Sequence, residues 1–138
     1  MNVLVLAQQF FPDSVGGSAR VAFEQSRELV KRGFSVTAII PKRDIKAKQK
    51  ETIEGVDLRR YGTGRIHPFG QSFVDVTQSS PIIKEVVEEI KPSIVIIHQP
   101  TIGHVYTKKF DDTPVIYMFH ASVPKEVKFQ GITGKGGW

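Results

Sequence analysis

The sequence contains no cysteine, which excludes disulfides, thiolate metal ligands and thiol nucleophiles. It has no apolar run long enough for a membrane span, and its N-terminus lacks the basic and apolar segments of a secretory signal. We therefore predict a soluble, cytoplasmic protein. At 138 residues the chain can bury a core without cross-links, and its length predicts one domain.

The basic segment after the second predicted strand also lacks aromatic residues. Five cations lie there, namely Lys42, Arg43, Lys46, Lys48 and Lys50. Proteins that bind nucleic acid interleave such charges with aromatics that stack on bases. Only the net charge of +5 favours nucleic acid here, and we predict that the protein does not bind it. Two alternatives stay open for this segment: a solvated loop, or peripheral contact with phosphate or an anionic membrane.

Apolar spacing along the chain predicts strands that alternate with helices. The predicted strands are residues 3–7, 35–40, 56–61, 94–97 and 115–119. A helix that opens after Gly17 ends at Gly33. Ser80-Pro81 predicts the cap and first position of a second helix, with 73–78 as a candidate preceding turn, and 103–109 is weakly helical. We predict a polar connector over 42–54.

This alternation predicts an α/β, Rossmann-like, doubly wound parallel sheet of about five strands in the order 3-2-1-4-5, with helices on both faces. The domain covers residues 1–121, and 122–138 form a flexible tail or a truncated connector. A ligand crevice is expected at the carboxyl ends of predicted strands 1 and 4. Three loops converge there, and they contain Gly16-Gly17, His98-Gln99-Pro100 and His120-Ala121-Ser122.

The glycine pair at the start of the first helix predicts a binding surface. Gly16 and Gly17 place backbone N–H groups where an anion or a sugar hydroxyl can approach. The pattern excludes a dinucleotide site, because the loop is long, the glycines are adjacent, and the second strand runs into Pro41-Lys42 instead of an acidic residue.

Several short motifs, in order, resemble the N-terminal, acceptor-side domain of the family 4 retaining glycosyltransferases, which have the GT-B architecture of two facing Rossmann-like domains. The motifs are Phe11-Pro12-Asp13, Gly16-Gly17, Arg20, Leu29-Val30-Lys31-Arg32-Gly33, Gly55-Val56, Lys91-Pro92, His98 and His120. The chain departs from the family pattern at Ala19, at Phe34-Ser35 and at Ser93. It also lacks the second, donor-binding domain.

The resemblance implies transfer of a sugar from a nucleotide-sugar donor to a glycan, lipid or small-molecule acceptor, without a cofactor or a metal. It implies that His120 is the catalytic residue, that Gly16 and Gly17 contact the donor, and that the missing domain is needed for activity. The substrate-binding candidates in the crevice are Gly16, Gly17, Ser18, Arg20, Gln99 and Ser122.

Each candidate also has a purely structural interpretation. The glycine pair is then an ordinary turn, His120 a structural histidine and Arg20 a solvent-facing cation. A metal site of His98, His104 and His120 has no regular spacing to support it. For the whole chain, the alternative function is a non-catalytic binding or regulatory domain of the same fold that recognises a phosphorylated ligand or a partner protein.

Overall fold

The computed structural model describes residues 1–65, 68–109 and 113–118. Its elements are β1 (Asn2–Leu6), α1 (Gly17–Lys31), β2 (Ser35–Pro41), β3 (Lys50–Ile53), β4 (Val56–Tyr61), α2 (Gln71–Ile90), β5 (Ile94–Ile97), α3 (Pro100–Lys109) and β6 (Val115–Tyr117). Within those residues, no helix combines the length and apolar character needed to cross a membrane.

The strands form one six-stranded sheet in the order β3-β4-β2-β1-β5-β6. β1 pairs in parallel with both β2 and β5, and β4 and β6 extend the parallel sheet at its two sides. These five strands are the five predicted from the sequence, in the predicted order 3-2-1-4-5, and α1 begins at Gly17 as expected. The predicted α/β fold is therefore confirmed.

The predicted polar connector over 42–54 is wrong at its end. Lys50–Ile53 form β3, which pairs antiparallel with β4 at one edge of the sheet. The two strands are joined by Glu54 and Gly55, which have φ angles of 52° and 83°. Positive φ at both central residues is the geometry of the tight turns that close two-residue hairpins. The Glu-Gly pair was the sequence signal for this hairpin.

The predicted start of the second helix at Ser80-Pro81 is also wrong. α2 is a single helix of 20 residues with Pro81 in its interior. Val74, Ile83 and Val86 are buried in one apolar cluster, so the helix already contributes to the core two turns before the proline. That burial favours a continuous helix although Pro81 cannot donate a backbone hydrogen bond.

The core lies on both faces of the sheet, because successive strand residues point to opposite sides. On the α1 side, Val3 and Val5 of β1 pack with Ala22 and Phe23. On the other side, Leu4 and Leu6 pack with residues of α2 and α3, among them Ile83, Ile102 and Val105. Helices therefore cover both faces, as the sequence predicted.

Candidate functional site

The segments that follow β1, β5 and β6 start at the same edge of the sheet. In the register of the parallel sheet, Leu6 of β1 pairs with Ile97 of β5, and Ile97 pairs with Tyr117 of β6. The backbone N–H of His98 donates to the carbonyl of Leu6 at 2.9 Å, and the N–H of Met118 donates to the carbonyl of Ile97 at 2.8 Å. Since α1 and α3 cover opposite faces, the loops that lead to them leave this edge on opposite sides of the sheet, which is where a ligand is expected to bind in an open α/β fold.

Gln8, two residues beyond β1, connects this edge to three other segments. Its backbone N–H donates to Oε1 of Gln99 at 2.5 Å, and its carbonyl accepts from Nη2 of Arg43 at 2.6 Å. Its side-chain Nε2 donates to Oδ2 of Asp75 at 3.0 Å. The amide oxygen of Gln99 is thus engaged within the protein, and the group that Gln99 can offer to a substrate is its NH₂.

Asp75 is a fully buried carboxylate beneath Gln8. Besides Gln8, it accepts hydrogen bonds from the Tyr61 hydroxyl at 2.5 Å and from Nε2 of Gln71 at 2.8 Å. Three donors satisfy a buried carboxylate that would otherwise be costly. Burial raises the pKa of Tyr61 well above its usual value, and the hydrogen bond to Asp75 raises it further. Tyr61 therefore remains a donor throughout the physiological pH range.

Sequence reasoning missed Asp75. The available signal was its place on the buried side of α2, at helical spacing from Ser79, Ile83 and Val86, all of which are buried. A carboxylate in such a row needs donors from neighbouring elements. The sequence does not show that Gln8 and Tyr61, from two different strand ends, supply them.

The β1–α1 loop presents an open backbone surface. Gly16 has a φ of 123° and precedes the first helical residue, Gly17, and α1 has no side-chain cap. A Cβ placed on either glycine would meet no atom within 4 Å, so the space beside both is free for a ligand. The partial positive charge of a helix N-terminus favours an anion at this place.

Two side chains of the first α1 turn are tied to the residues that follow β1. The guanidinium carbon of Arg20 lies 4.5 Å from the centroid of the Phe11 ring, a cation–π distance. The hydroxyl of Ser18 donates to Oε1 of Gln9 at 2.8 Å. The structure thus brings four candidates, Gly16, Gly17, Ser18 and Arg20, together at the β1–α1 loop and the first turn of α1. The exposed guanidinium of Arg20 packs on the Phe11 ring of that loop.

Arg60, near the end of β4, holds the β1–α1 loop through Asp13. Sequence reasoning did not assign a role to Arg60. Its Nε and Nη2 donate to Oδ2 and Oδ1 of Asp13 at 2.7 and 3.1 Å. Its Nη1 donates to Glu51 at 2.8 Å and to the carbonyl of Lys48 at 3.0 Å. Burial lowers the pKa of Arg60, but the bonds to Asp13 and Glu51 outweigh it and raise the pKa above its usual value.

The remaining candidates, His120 and Ser122, lie outside the described residues, and their roles stay predictions. His98 is buried and His104 is exposed. Among residues 1–65, 68–109 and 113–118, no group of three or more histidines and carboxylates is placed to hold a metal ion. The prediction that residues 122–138 form a tail or connector also lies outside the described part.

Comparisons with known proteins agree with the fold. A sequence model described as Glycosyltransferase Family 4 matches residues 15–137. The fold is similar to sucrose-phosphate synthase from Thermosynechococcus elongatus, with a TM-score of 0.72 and 14% identity over 94% of this chain and 35% of that one. It is also similar to the catalytic domain of starch synthase IV from Arabidopsis thaliana, bound to ADP and acarbose.

For the starch synthase the TM-score is 0.65 and the identity 16%, over 86% of this chain and 34% of that one. The chain thus spans about a third of the length of either structure. No curated protein sequence matches it.

Proposed function

This chain belongs to glycosyltransferase family 4, and from that premise we propose that it is the acceptor-side domain of a retaining enzyme that transfers a sugar from a nucleotide-sugar donor. The observation that carries the proposal is the open surface at Gly16 and Gly17, where the uncapped end of α1 faces free space. A donor diphosphate fits there, because glycine has no Cβ to prevent contact between a phosphate oxygen and the backbone.

The proposed chemistry follows from the charge that develops on the donor. When the bond between the sugar and the phosphate breaks, negative charge grows on the leaving diphosphate. The N–H groups of the first α1 turn and the guanidinium of Arg20, held over Phe11, are fixed in advance to stabilise that charge. The proposed chemistry uses neither a metal nor a cofactor, as the family resemblance implies.

Two further features support a nucleotide donor and a second domain. The starch synthase structure is bound to ADP, a nucleoside diphosphate, which is the product that a nucleotide-sugar donor leaves. The chain spans only about a third of the similar structures. We therefore place most of the nucleotide contacts on a partner domain, whose closure over this one excludes water and orients the acceptor.

The cell compartment and the acceptor are proposed from the sequence. A cysteine-free chain is compatible with the reducing cytoplasm. The acceptor is a glycan, a lipid or a small molecule, and the basic connector that contains Lys42, Arg43, Lys46 and Lys48 would support peripheral contact with an anionic membrane.

The proposal is tested by comparing the 138-residue chain with the same chain joined to a donor-binding domain. We expect no sugar transfer by the 138 residues alone. We expect weak binding of nucleotide sugars, which fades between low and physiological salt as screening shortens to about 8 Å. Calorimetry and a transfer assay with several nucleotide sugars measure both. Tight, salt-resistant binding or turnover by the 138 residues would overturn the two-domain proposal.

Gly17→Val in the two-domain enzyme should lower kcat/KM by about 100-fold, the effect of losing a fixed donor to a developing charge. Gly17 is the first residue of α1 and its φ is not positive, so the new side chain blocks space without straining the backbone. Stability should change by less than about 1 kcal/mol. Lys31→Val, at the other end of α1, is the control and should retain wild-type kinetics. Wild-type turnover in folded Gly17→Val would reduce the glycine pair to a turn.

A further inference from the structure

The buried carboxylate of Asp75 divides its two oxygens between different parts of the molecule. Oδ1 accepts from the Tyr61 hydroxyl at 2.5 Å and from Nε2 of Gln71 at 2.8 Å. Oδ2 accepts from Nε2 of Gln8 at 3.0 Å. The end of β4 and the first turn of α2 thus fix the orientation of the carboxylate, and its second oxygen holds the segment that follows β1.

The backbone on both sides of Gln8 is held by side chains as well. Its N–H donates to Oε1 of Gln99 at 2.5 Å, and its carbonyl accepts from Nη2 of Arg43 at 2.6 Å. The next residue, Gln9, accepts at Oε1 from the Ser18 hydroxyl at 2.8 Å. Gln8 and Gln9 therefore connect Gln99, which precedes α3, with Ser18 in the first turn of α1.

Gln99 and Ser18 are both predicted substrate-binding residues, and they belong to elements on opposite faces of the sheet. A substrate at this edge would lie between these elements, so the spacing of Gln99 and Ser18 matters for its binding. Asp75 is fully buried, whereas Arg43 is exposed and Gln99 and Ser18 are partly exposed. Asp75 is therefore the most firmly held end of this series of hydrogen bonds.

The charge of Asp75 is not explained by packing alone. An apolar side chain at this place of α2 would fill the core without the cost of burying a carboxylate. A carboxylate only accepts hydrogen bonds, and it suits a place where Gln8, Gln71 and Tyr61 all present donors. A fully satisfied polar network of this kind selects one arrangement of the side chains that form it.

We propose that Asp75 is a positioning residue for the substrate-binding edge of the sheet. It acts through Gln8, which it holds at the end of β1, and so sets the NH₂ of Gln99 and the hydroxyl oxygen of Ser18 at the spacing that the substrate requires. The effect on sugar transfer rests on the proposed function. The coupling from Asp75 to Gln99 does not, because it can be measured without a substrate.

Gln8→Met tests this coupling in the ¹⁵N-labelled 138-residue protein. Methionine keeps the length of the side chain and the backbone N–H, but it has no amide to donate to Asp75. The side-chain amide of Gln99 should change from ordered to flexible, with an NMR order parameter below about 0.6. An ordered Gln99 amide in folded Gln8→Met would overturn the proposal.

Ser79→Ala is the matched control, since Ser79 is also buried on α2 and its hydroxyl donates to the backbone carbonyl of Asp75. Both Ser79→Ala and Gln8→Met should lower the thermal midpoint, because each removes an internal hydrogen bond. Only Gln8→Met should release the amide of Gln99. An equal loss of order in both variants would show a general loosening of the core and would also refute the positioning role.

Kinetics of the two-domain enzyme measure the consequence for transfer. Gln8→Met should lower kcat/KM by about tenfold, part of the roughly 100-fold that a displacement of about 1 Å can cost, whereas Ser79→Ala should keep the wild-type value. Wild-type kcat/KM in folded Gln8→Met would contradict the proposal. If the wild-type enzyme transfers no sugar, the proposed function fails, and the order of the Gln99 amide still decides whether Asp75 positions it.

An exchange of the two groups provides the rescue. Gln8→Glu alone places two carboxylates against each other and should lower kcat/KM more than Gln8→Met does. Adding Asp75→Asn gives residue 75 an NH₂ that can donate to the new carboxylate, while its oxygen still accepts from Tyr61 and Gln71. The double variant should regain at least about fivefold in kcat/KM over Gln8→Glu. A double variant no better than Gln8→Glu would show that the contact between residues 8 and 75 does not position the edge.

Discussion

Replacing Arg60 with methionine should destabilise the protein by about 3 kcal/mol, the lower end of the range for breaking a buried ion pair. The Arg60 side chain is only 3% exposed, and it holds two carboxylates and a carbonyl from three segments. Asp13 and Glu51 are 17% and 34% exposed. They can regain part of their hydration after the substitution, so the larger values in that range are not expected.

Urea denaturation of Arg60→Met measures this loss, and Arg32→Met is the matched control. Arg32 pairs with Glu28 at 3.4 Å on the surface of α1, with side chains 70% and 55% exposed. Its replacement should cost less than about 0.5 kcal/mol. A similar, small effect for both variants would show that Arg60 does not anchor the β1–α1 loop to β3 and β4.

The parallel part of the sheet could be predicted because each element carries its own periodic signal. β1 and β5 are continuous apolar runs, and their alternate residues fill the clusters on the two faces. The chirality of the crossovers then leaves little freedom in the strand order. The start of α1 followed from the glycine pair, which the structure places at the helix N-terminus.

β3 could not be predicted by the same reasoning, and the first half of α2 was predicted only as a candidate turn of helix over 73–78. β3 is an edge strand in which no residue is buried, so its sequence lacks the alternation of apolar and polar residues that predicts a strand. The only sequence signal for the hairpin is the pair Glu54 and Gly55. In α2, Pro81 was interpreted as a helix start. Its interior place depends on tertiary packing of Val74, which a local pattern does not reveal.

Sequence reasoning identified the candidates that share the β1–α1 loop and placed Gln99 at the same sheet edge, but it missed the buried charged residues that support this edge from distant segments. Gly16, Gly17, Ser18 and Arg20 are close in sequence and close in space. Asp75 and Arg60, by contrast, act on residues far along the chain, at Gln8 and Asp13. Such pairs depend on how side chains of distant elements are placed against one another, which strand order alone does not reveal.

Replacing His120 with alanine in the two-domain enzyme should lower kcat by about 100-fold with little change in KM. Family resemblance assigns this residue to the transferred sugar. The described chain ends two residues earlier at Met118, whose N–H donates to the carbonyl of Ile97 at the carboxyl edge of the sheet, and the location of His120 stays a prediction. A contact that strengthens as the sugar–phosphate bond breaks acts mainly on the transition state, so turnover falls more than affinity.

His104→Ala is the control for that measurement, because His104 is an exposed histidine of α3. It should leave both kcat and KM unchanged, whereas His120→Ala should change kcat without a matching loss of thermal stability. Donor affinity, measured by calorimetry on both variants, separates binding from turnover. If His120→Ala keeps wild-type kcat, or loses activity only in proportion to unfolded protein, His120 is a structural histidine and the chemistry depends on the N-terminus of α1 and on the partner domain.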